Sequence, residues 1–181
     1  MNPDILNELH EEFRLRLREA LRICAAEGVV MAPYCGRRDC AEQARIYRRS
    51  RTLAQITAKI AQLRAAGFPE LARALEAVGP QTGVVGQHAT NAAPGESWHQ
   101  YLVAVDCVPL VDGKAIWGAN EPEWKVYGEA VRYVGLEWAG DWVSFKEYPH
   151  CQLGNNKNPL TAYGPGAISR MITAGTLSSG G

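Results

Sequence analysis

The chain has 181 residues, of which 46% are hydrophobic and 21% are charged. This length suits one well-packed domain and is short for two, so a single domain is expected. The 19 basic and 19 acidic residues give a formal net charge of +0. This balance removes bulk attraction to nucleic acid or to an anionic membrane as a basis for function.

The N-terminus and the hydropathy pattern indicate whether the chain carries a signal peptide or a membrane span. Met1 is followed by a charged helical pattern rather than an apolar leader, and no apolar run approaches the ~18 residues of a membrane span. A protein made in the cytoplasm without a signal peptide or stable membrane insertion is therefore expected. The odd number of cysteines, without paired metal-type spacing, favours reduced thiols over a disulfide framework.

The first elements are a long helix and a short strand. Apolar residues spaced three or four apart predict an amphipathic helix over residues 4–27, which ends at Gly28. Val29–Ala32 then reads as a short buried strand, and Pro33–Gly36 reads as a turn-rich segment.

Helical patterns continue after this turn. Asp39 is predicted to cap a helix that ends near Arg49, and residues 52–78 predict a helical hairpin. The hairpin suits simple packing, although a lid or a partner surface stays open. Arg38 and Gln43 lie at the corner between strand and helix, where residues of this kind are usually ordinary surface side chains.

The central stretch places an aspartate in a strongly apolar strand. After His99 the chain reads Leu-Val-Ala-Val-Asp-Cys-Val, as expected of a strand buried on both faces. A buried carboxylate must be paired, hydrogen-bonded or bound to a metal, so Asp106 requires a partner. Ser97 would share a side with His99 if that segment is extended. By itself, this spacing is a weak pattern that favours a buried Asp–His hydrogen bond without metal over a metal site.

The second half adds a helix and an aromatic segment. Residues 122–135 predict a helix, with Asn120 and Glu123 in capping-box spacing. Two tryptophans then bracket Ala139–Asp141, a pattern that suits either a substrate wall or packing.

A second histidine follows the aromatic segment. Glu147 precedes Pro149 and His150. Two imidazoles, one carboxylate and a further acid are the groups of a catalytic zinc site with one open position.

Together these motifs resemble a known family. Three motifs are similar to those of zinc peptidases. They are Ser-x-His-x6-Asp at Ser97–Asp106, Gly-Leu-x-Trp-x-Gly-Asp-Trp at Gly135–Trp142 and acid-x-Pro-His-x-Gln at Glu147–Gln152. These zinc peptidases are the D-alanyl-D-alanine carboxypeptidases and L-alanyl-D-glutamate endopeptidases, a group that includes vancomycin-resistance dipeptidases and many phage endolysins. The resemblance extends from about Val29 to Gln152, and Gly36–Tyr47 resembles the family's Gly-Tyr-Arg-Ser…Gln…Leu-Tyr segment.

The resemblance implies a role for each matching residue. It implies one zinc ion per chain bound by His99, Asp106 and His150, with Glu147 as the catalytic base and Arg38 as the residue that stabilises the oxyanion. The substrate-side residues that it implies are Gln43, Ser97, Trp138, Asp141 and Trp142.

Several positions depart from the family pattern. Leu102 replaces the motif glycine, Arg37 replaces a tyrosine and Cys151 replaces a phenylalanine. Glu147 stands where the L-alanyl-D-glutamate branch usually has aspartate, which leaves the scissile bond open. The hairpin at 52–78 resembles an insertion.

The expected fold is a small α+β domain over residues 1–177, in which an antiparallel sheet carries the zinc site and helices surround it. Residues 178–181 are expected to be a disordered tail. The resemblance implies a zinc endopeptidase that cuts peptidoglycan stem peptides between L-alanine and D-glutamate, and the protein is expected to be a monomer. As a phage endolysin, it would reach the cell wall after holin-type release.

Two alternatives stay open. One is a D,D-carboxypeptidase or D-alanyl-D-alanine dipeptidase, which would release or split terminal D-alanine. The other is a non-catalytic, zinc-containing module that binds the cell wall.

Overall fold

A computed structural model describes residues 5–49, 51–78, 89–154 and 157–177. The chain divides into two compact units. The sheet unit comprises Met1–Arg37 and Leu102–Asn156, and the helical unit comprises Arg38–Tyr101 and Lys157–Gly181. The predicted tail at 178–181 lies outside the described residues, and the expected single domain stays a prediction.

The sheet unit contains an antiparallel sheet and two helices. Its described strands are β1 (Val30–Cys35), β2 (Ala104–Val111), β3 (Lys114–Ala115), β4 (Glu137–Trp138) and β5 (His150–Gln152). The strand order is β1-β2-β5-β4, and β3 pairs with the end of β2. Its described helices are α1 (Glu11–Ala26) and α5 (Pro122–Tyr133). The predicted α+β class with a small antiparallel sheet is confirmed.

The core of the sheet unit follows the apolar pattern of the sequence. The first six residues of β2 are all buried, as expected of a strand covered on both faces. Phe13 and Leu17 of α1 and Tyr127 of α5 are fully buried in the same cluster. Burial of these large apolar side chains stabilises the sheet against both helices.

Two boundaries in the first part of this unit differ from the prediction. The helix predicted from residue 4 begins at Glu11, because His10 has non-helical dihedral angles (φ −53°, ψ 137°) and its N–H donates to Leu102 O. β1 continues through Pro33 to Cys35 where a turn was predicted. It lies at an edge of the sheet, and an edge strand tolerates a proline because one side of the strand needs no N–H donors.

The predicted capping box of α5 is wrong. Glu121 is the N-cap residue, Pro122 lies in the first turn, and no side-chain cap hydrogen bond forms. Proline at this position supplies helical φ and needs no acceptor for an N–H, so the helix starts without Asn120.

The helical unit contains the predicted hairpin. Its described helices are α2 (Cys40–Arg48), α3 (Leu53–Ala65), α4 (Pro69–Ala77) and α6 (Pro159–Thr173), the last interrupted at Gly164. Asp39 caps α2 by accepting from Glu42 N at 2.7 Å, as predicted. Thr52 starts α3 with a complete capping box, and Gly67 at φ +86° ends that helix.

The helical unit has its own apolar core, to which α2, α3, α4 and α6 all contribute. Arg48 is 5% exposed, and its Nε and Nη2 atoms donate to Leu75 O at 3.0 and 2.8 Å, which ties α2 to α4. In the part of the chain that is described, none of the helices is both long and apolar enough to cross a membrane.

Candidate metal centre

Asp106 and His150 lie opposite each other on the paired strands β2 and β5. Directly paired residues of antiparallel strands project from the same face of the sheet, so the two side chains meet. His150 Nδ1 lies 3.0 Å from Asp106 Oδ1, and the residues are 6% and 9% exposed. The aspartate that requires a partner in a buried strand therefore has an imidazole beside it.

The environment of His150 acts on its pKa in two directions. Burial favours the neutral imidazole and would lower the pKa. The hydrogen bond and the charge of Asp106 favour the protonated ring, as do the charge of Glu147 and the hydrogen bond to Gln152, and together these raise the pKa of His150. Two acidic residues thus lie within electrostatic reach of this imidazole.

The second nitrogen of His150 is held by a chain of hydrogen bonds on the same sheet face. Its Nε2 lies 3.0 Å from Gln152 Oε1, and Gln152 Nε2 donates to Glu137 Oε2 at 2.9 Å. Trp142 Nε1 donates to Glu137 Oε1 at 2.7 Å. Both nitrogens of the ring are therefore occupied, and its orientation is set from two sides.

The opposite face of the sheet is apolar. Cys107 and Cys151 each follow one of the paired residues and are fully buried in the core of the sheet unit, as predicted. Burial raises the pKa of the Cys151 thiol to about 12 and that of Cys107 well above its ordinary value. These thiols are structural, since a neutral buried thiol is a poor nucleophile and a poor ligand.

Cys35 is a further donor that the sequence did not single out. It pairs with Asp106 across β1 and β2, and its sulfur lies within 4.8 Å of an Asp106 carboxylate oxygen. The register slips between Pro33 and Cys35, so alternation along β1 alone does not predict which residue faces Asp106.

Glu147 begins the turn that leads into β5. Its N–H donates to Ala139 O at 3.2 Å, and its carbonyl oxygen accepts from His150 N at 3.1 Å. The residue is half-buried, in contrast to the buried pair. The charge of Glu147 acts on His150, and the residue as a whole is partly accessible to water.

The aromatic segment has one buried and one half-buried tryptophan. Trp138 is 7% exposed, and its Nε1 donates to Tyr148 O at 2.8 Å. The Trp142 ring is half-buried, with its centroid 5.6 Å from that of His150. Asp141 is exposed, and both of its carboxylate oxygens accept from Arg132 Nη1, at 2.9 and 2.7 Å. The substrate roles predicted for these residues stay predictions.

The helical unit holds the other predicted histidine and the motif serine. His99 lies in a 3-10 turn at Trp98–Tyr101, and Ser97 immediately precedes this turn. They are 1% and 8% exposed. The extended segment on which Ser97 and His99 would share one side does not form, because Gln100 N donates back to Ser97 O.

Arg38 and Gln43 lie together in the helical unit. Arg38 Nη1 donates to Gln43 Oε1 at 3.3 Å, and Gln43 Nε2 donates to Ala92 O at 2.7 Å. Gln43 is fully buried, and Arg38 is half-buried. The backbone N–H of Arg38 also donates to His99 O at 3.5 Å, which places the arginine beside the 3-10 turn.

The donors of the sheet unit fit a divalent metal ion. Asp106 and His150 offer an oxygen and a nitrogen on one buried face, and the second nitrogen of His150 has a hydrogen-bond acceptor, as metal-binding histidines usually do. Nitrogen and oxygen donors suit zinc and related ions. The third predicted ligand, His99, belongs to the helical unit, and its role as a ligand stays a prediction.

The sequence did not predict the hydrogen bond of His150 to Gln152 or that of Gln152 to Glu137. Gln152 and Glu137 appear in the motifs without a role, because their function depends on a strand pairing that the motifs do not reveal. The alternation of β5, which puts residues 150 and 152 on one face, is the signal that could have identified Gln152.

Comparisons with known proteins agree with the motifs. Residues 90–153 match the D-alanyl-D-alanine carboxypeptidase family model. The chain is 36% identical over 76 residues to the peptidoglycan L-alanyl-D-glutamate endopeptidase CwlK of Bacillus subtilis (strain 168), across 38% of this chain and 46% of that protein. It is 32% identical over 88 residues to the L-alanyl-D-glutamate peptidase of Listeria phage A118, across 45% of this chain and 31% of that protein. The chain thus spans less than half the length of these two relatives.

Solved structures were compared as well. The L-Ala D-Glu endopeptidase ChiX of Serratia marcescens matches with a TM-score of 0.48 and 22% identity, across 90% of this chain and 88% of that one. The family model covers the stretch that contains Asp106, Glu147 and His150. This match and the motifs make the chain similar to the D-alanyl-D-alanine carboxypeptidase family of peptidases.

Proposed function

We propose that the chain is a zinc-dependent endopeptidase that hydrolyses the bond between L-alanine and D-glutamate in peptidoglycan stem peptides. The observation that carries this proposal is the buried Asp106–His150 pair, with Glu147 in the turn beside it, inside the segment that matches the family model. Two relatives that carry the name of L-alanyl-D-glutamate peptidases support the choice of bond.

The metal belongs to the proposal. One zinc ion per chain is held by His99, Asp106 and His150, the donor types of catalytic zinc sites that keep one position open. When bound, zinc lowers the pKa of a water molecule and polarises a peptide carbonyl. The hydrogen bond between Gln152 and the far nitrogen of His150 supports Nδ1 as the ligand atom of that residue.

Glu147 moves the proton. Its carboxylate accepts a proton from the attacking water and returns it to the leaving amine. A half-buried carboxylate with charge enough to raise the pKa of His150 lies close to the metal ligands and can still reach a water molecule.

Arg38 stabilises the negative charge that develops on the carbonyl oxygen, since a guanidinium offers several donors in fixed geometry. Its hydrogen bond to the fully buried Gln43 supports a fixed position for this side chain. The residues proposed to contact the substrate are Gln43, Ser97, Trp138, Asp141 and Trp142.

The biological role is cell-wall degradation by a monomeric phage endolysin. The Listeria phage relative supports this context. In this role the protein acts on the wall from the inside after holin-type release.

Mass spectrometry of purified stem peptides tests the proposal. The peptides are incubated with the protein as prepared, with a chelator, and with chelator followed by zinc. We expect a product with a new D-glutamate amino terminus that is lost with chelator and restored by zinc.

Two other results would redirect the assignment. Release of free D-alanine or of D-alanyl-D-alanine would establish the D,D-carboxypeptidase or dipeptidase alternative. Bound zinc without any cleavage would indicate a non-catalytic module that binds the cell wall.

A further inference from the structure

Four polar side chains line up on one face of the sheet. Glu137 pairs with Gln152 across β4 and β5, and Asp106 pairs with His150 across β2 and β5. His150 and Gln152 are two residues apart on β5 and therefore share this face. Strand register alone thus aligns Glu137, Gln152, His150 and Asp106 in a row.

In each hydrogen bond of this row, the chemistry of the side chains determines which residue donates and which accepts. The indole N–H of Trp142 can only donate, and it donates to Glu137 at 2.7 Å. A carboxylate only accepts, so the second oxygen of Glu137 takes the amide N–H of Gln152 at 2.9 Å. The amide oxygen of Gln152 is then the atom that faces His150 Nε2, at 3.0 Å.

The orientation of the Gln152 amide determines which nitrogen of the His150 imidazole is available to a metal. An amide oxygen can pair with Nε2 only when Nε2 carries a hydrogen. Nδ1 is then the nitrogen that can bind a metal, and it lies 3.0 Å from Asp106 Oδ1. If the amide of Gln152 were reversed, its N–H groups would face Nε2, and a hydrogen on Nε2 would have no acceptor there. Because metal binding through Nδ1 requires the hydrogen on Nε2, that binding mode would be disfavoured.

Gln152 and His150 are shielded from water, whereas Glu137 is half-buried, so a reversed Gln152 amide would leave the contact with His150 unsatisfied at a buried position. Gln152 is 2% exposed and His150 is 6% exposed. A buried donor that faces another donor loses its hydrogen bond without compensation from solvent.

We propose that Glu137 is a positioning residue: it sets the orientation of the Gln152 amide and thereby presents His150 to the metal through Nδ1. This rests on the proposed role of His150 as a metal ligand. Trp142 supports the same arrangement by occupying the other oxygen of Glu137.

The test uses two isosteric changes and their combination. In Glu137→Gln, the Trp142 N–H still requires an acceptor, so the amide oxygen of the new glutamine faces Trp142 and its N–H faces Gln152. The Gln152 amide must then turn over to present its oxygen to residue 137. In the double variant Glu137→Gln, Gln152→Glu, the carboxylate at position 152 accepts from both sides and again offers an acceptor to His150 Nε2. Glu129→Gln, on the exposed face of α5, makes the same chemical change away from the row.

Zinc affinity is measured by chelator competition, and the Nε2–H of His150 is observed by ¹H–¹⁵N NMR of the zinc-loaded, histidine-labelled protein. We expect Glu137→Gln to bind zinc about 10- to 100-fold more weakly, as is usual for changes in partners of metal-binding histidines, and to lose the hydrogen-bonded Nε2–H signal. The double variant should recover both, and Glu129→Gln should match the parent protein.

Wild-type affinity in Glu137→Gln, or a double variant as weak as the single one, would overturn the proposal. Both readouts are taken without substrate. A parent protein that shows the expected zinc affinity and Nε2–H signal but cleaves no stem peptide would overturn the proposed function and leave the role of Glu137 intact.

Discussion

Asp106 Oδ1 lies 3.0 Å from His150 Nδ1, although 43 residues separate the two in sequence. The contact exists because β2 and β5 pair in a register that sets residue 106 opposite residue 150. β2 is buried on both faces, so the Asp106 carboxylate requires a partner away from water, and the His150 imidazole lies within hydrogen-bonding distance of it.

Replacing Asp106 by asparagine should remove metal binding with little change in the shape of the side chain. Asp106→Asn keeps the side-chain volume but loses the charged donor, so zinc affinity should fall by more than the about 10- to 100-fold that outer-shell changes cause. Equilibrium dialysis with elemental analysis measures the bound zinc. Asp112→Asn, the same change in the exposed turn after β2, should retain zinc. Equal zinc content in the two variants would refute Asp106 as a ligand.

Replacing Glu147 should separate zinc binding from turnover. Glu147→Gln keeps the shape of the side chain but cannot accept a proton, so zinc should be retained while the cleavage rate falls by about 10²- to 10⁴-fold. Zinc content and stem-peptide cleavage are measured on the same preparation. Cleavage at the parent rate in this variant would show that another group is the base.

Leu102 has a backbone conformation that suits glycine. Its φ is +62°, a region that costs a residue with a side chain about 1–2 kcal/mol, and the family motif has glycine at this position. Leu102→Gly should therefore be more stable than Leu102→Ala by about 1 kcal/mol, because both lose the leucine side chain but only glycine relieves the backbone. Urea unfolding of both variants measures this difference. If Leu102→Ala were more stable than Leu102→Gly, the backbone at residue 102 would not be strained.

Two helical glycines should respond to alanine in opposite ways. A Cβ at Gly128 of α5 would collide with the Trp138 ring, so Gly128→Ala should destabilise the protein by about 1–3 kcal/mol. A Cβ at Gly166 of α6 would have Arg170 Nη1 as its nearest atom, at 3.6 Å, so Gly166→Ala should stabilise by about 0.5–1 kcal/mol. Chemical unfolding measures both, and a gain in stability from Gly128→Ala would contradict the packing of Trp138.

The buried thiol of Cys40 should make the protein less stable at alkaline pH. Burial raises its pKa from the ordinary 9.0 to about 12, although a hydrogen bond from Gln100 acts in the opposite direction. Above pH 9 the unfolded chain releases a proton that the folded chain keeps, so this contribution to stability is complete below pH 9 and is lost as pH rises towards 12.

Unfolding measured at a series of alkaline pH values should show the loss, at about 1.4 kcal/mol per pH unit for this one group. Cys40→Ser keeps a hydrogen-bonding atom for Gln100 but does not titrate in this range, so its stability should fall less steeply. Identical slopes in the two proteins would exclude Cys40 as the source.

Much of the local structure followed from the sequence. The helix that Gly28 ends, the Asp39 cap, the hairpin over residues 52–78 and the buried character of β2 depend on periodicity and capping, which are local properties. The family motifs also indicated Asp106 and His150. Local rules failed where another feature dominated, as at Pro122, which starts α5 without the predicted cap.

Strand pairing decided what the sequence left open. The sequence required a partner for Asp106, but only the register of β2 and β5 shows that the partner in the sheet unit is His150. The same pairing brings Gln152 and Glu137 into one hydrogen-bonded row, and a register slip in β1 turns Cys35 towards Asp106. The sequence by itself determined which residue types and local elements are available. The tertiary structure decided which donors meet, because contacts between strands distant in sequence depend on a register that no local pattern encodes.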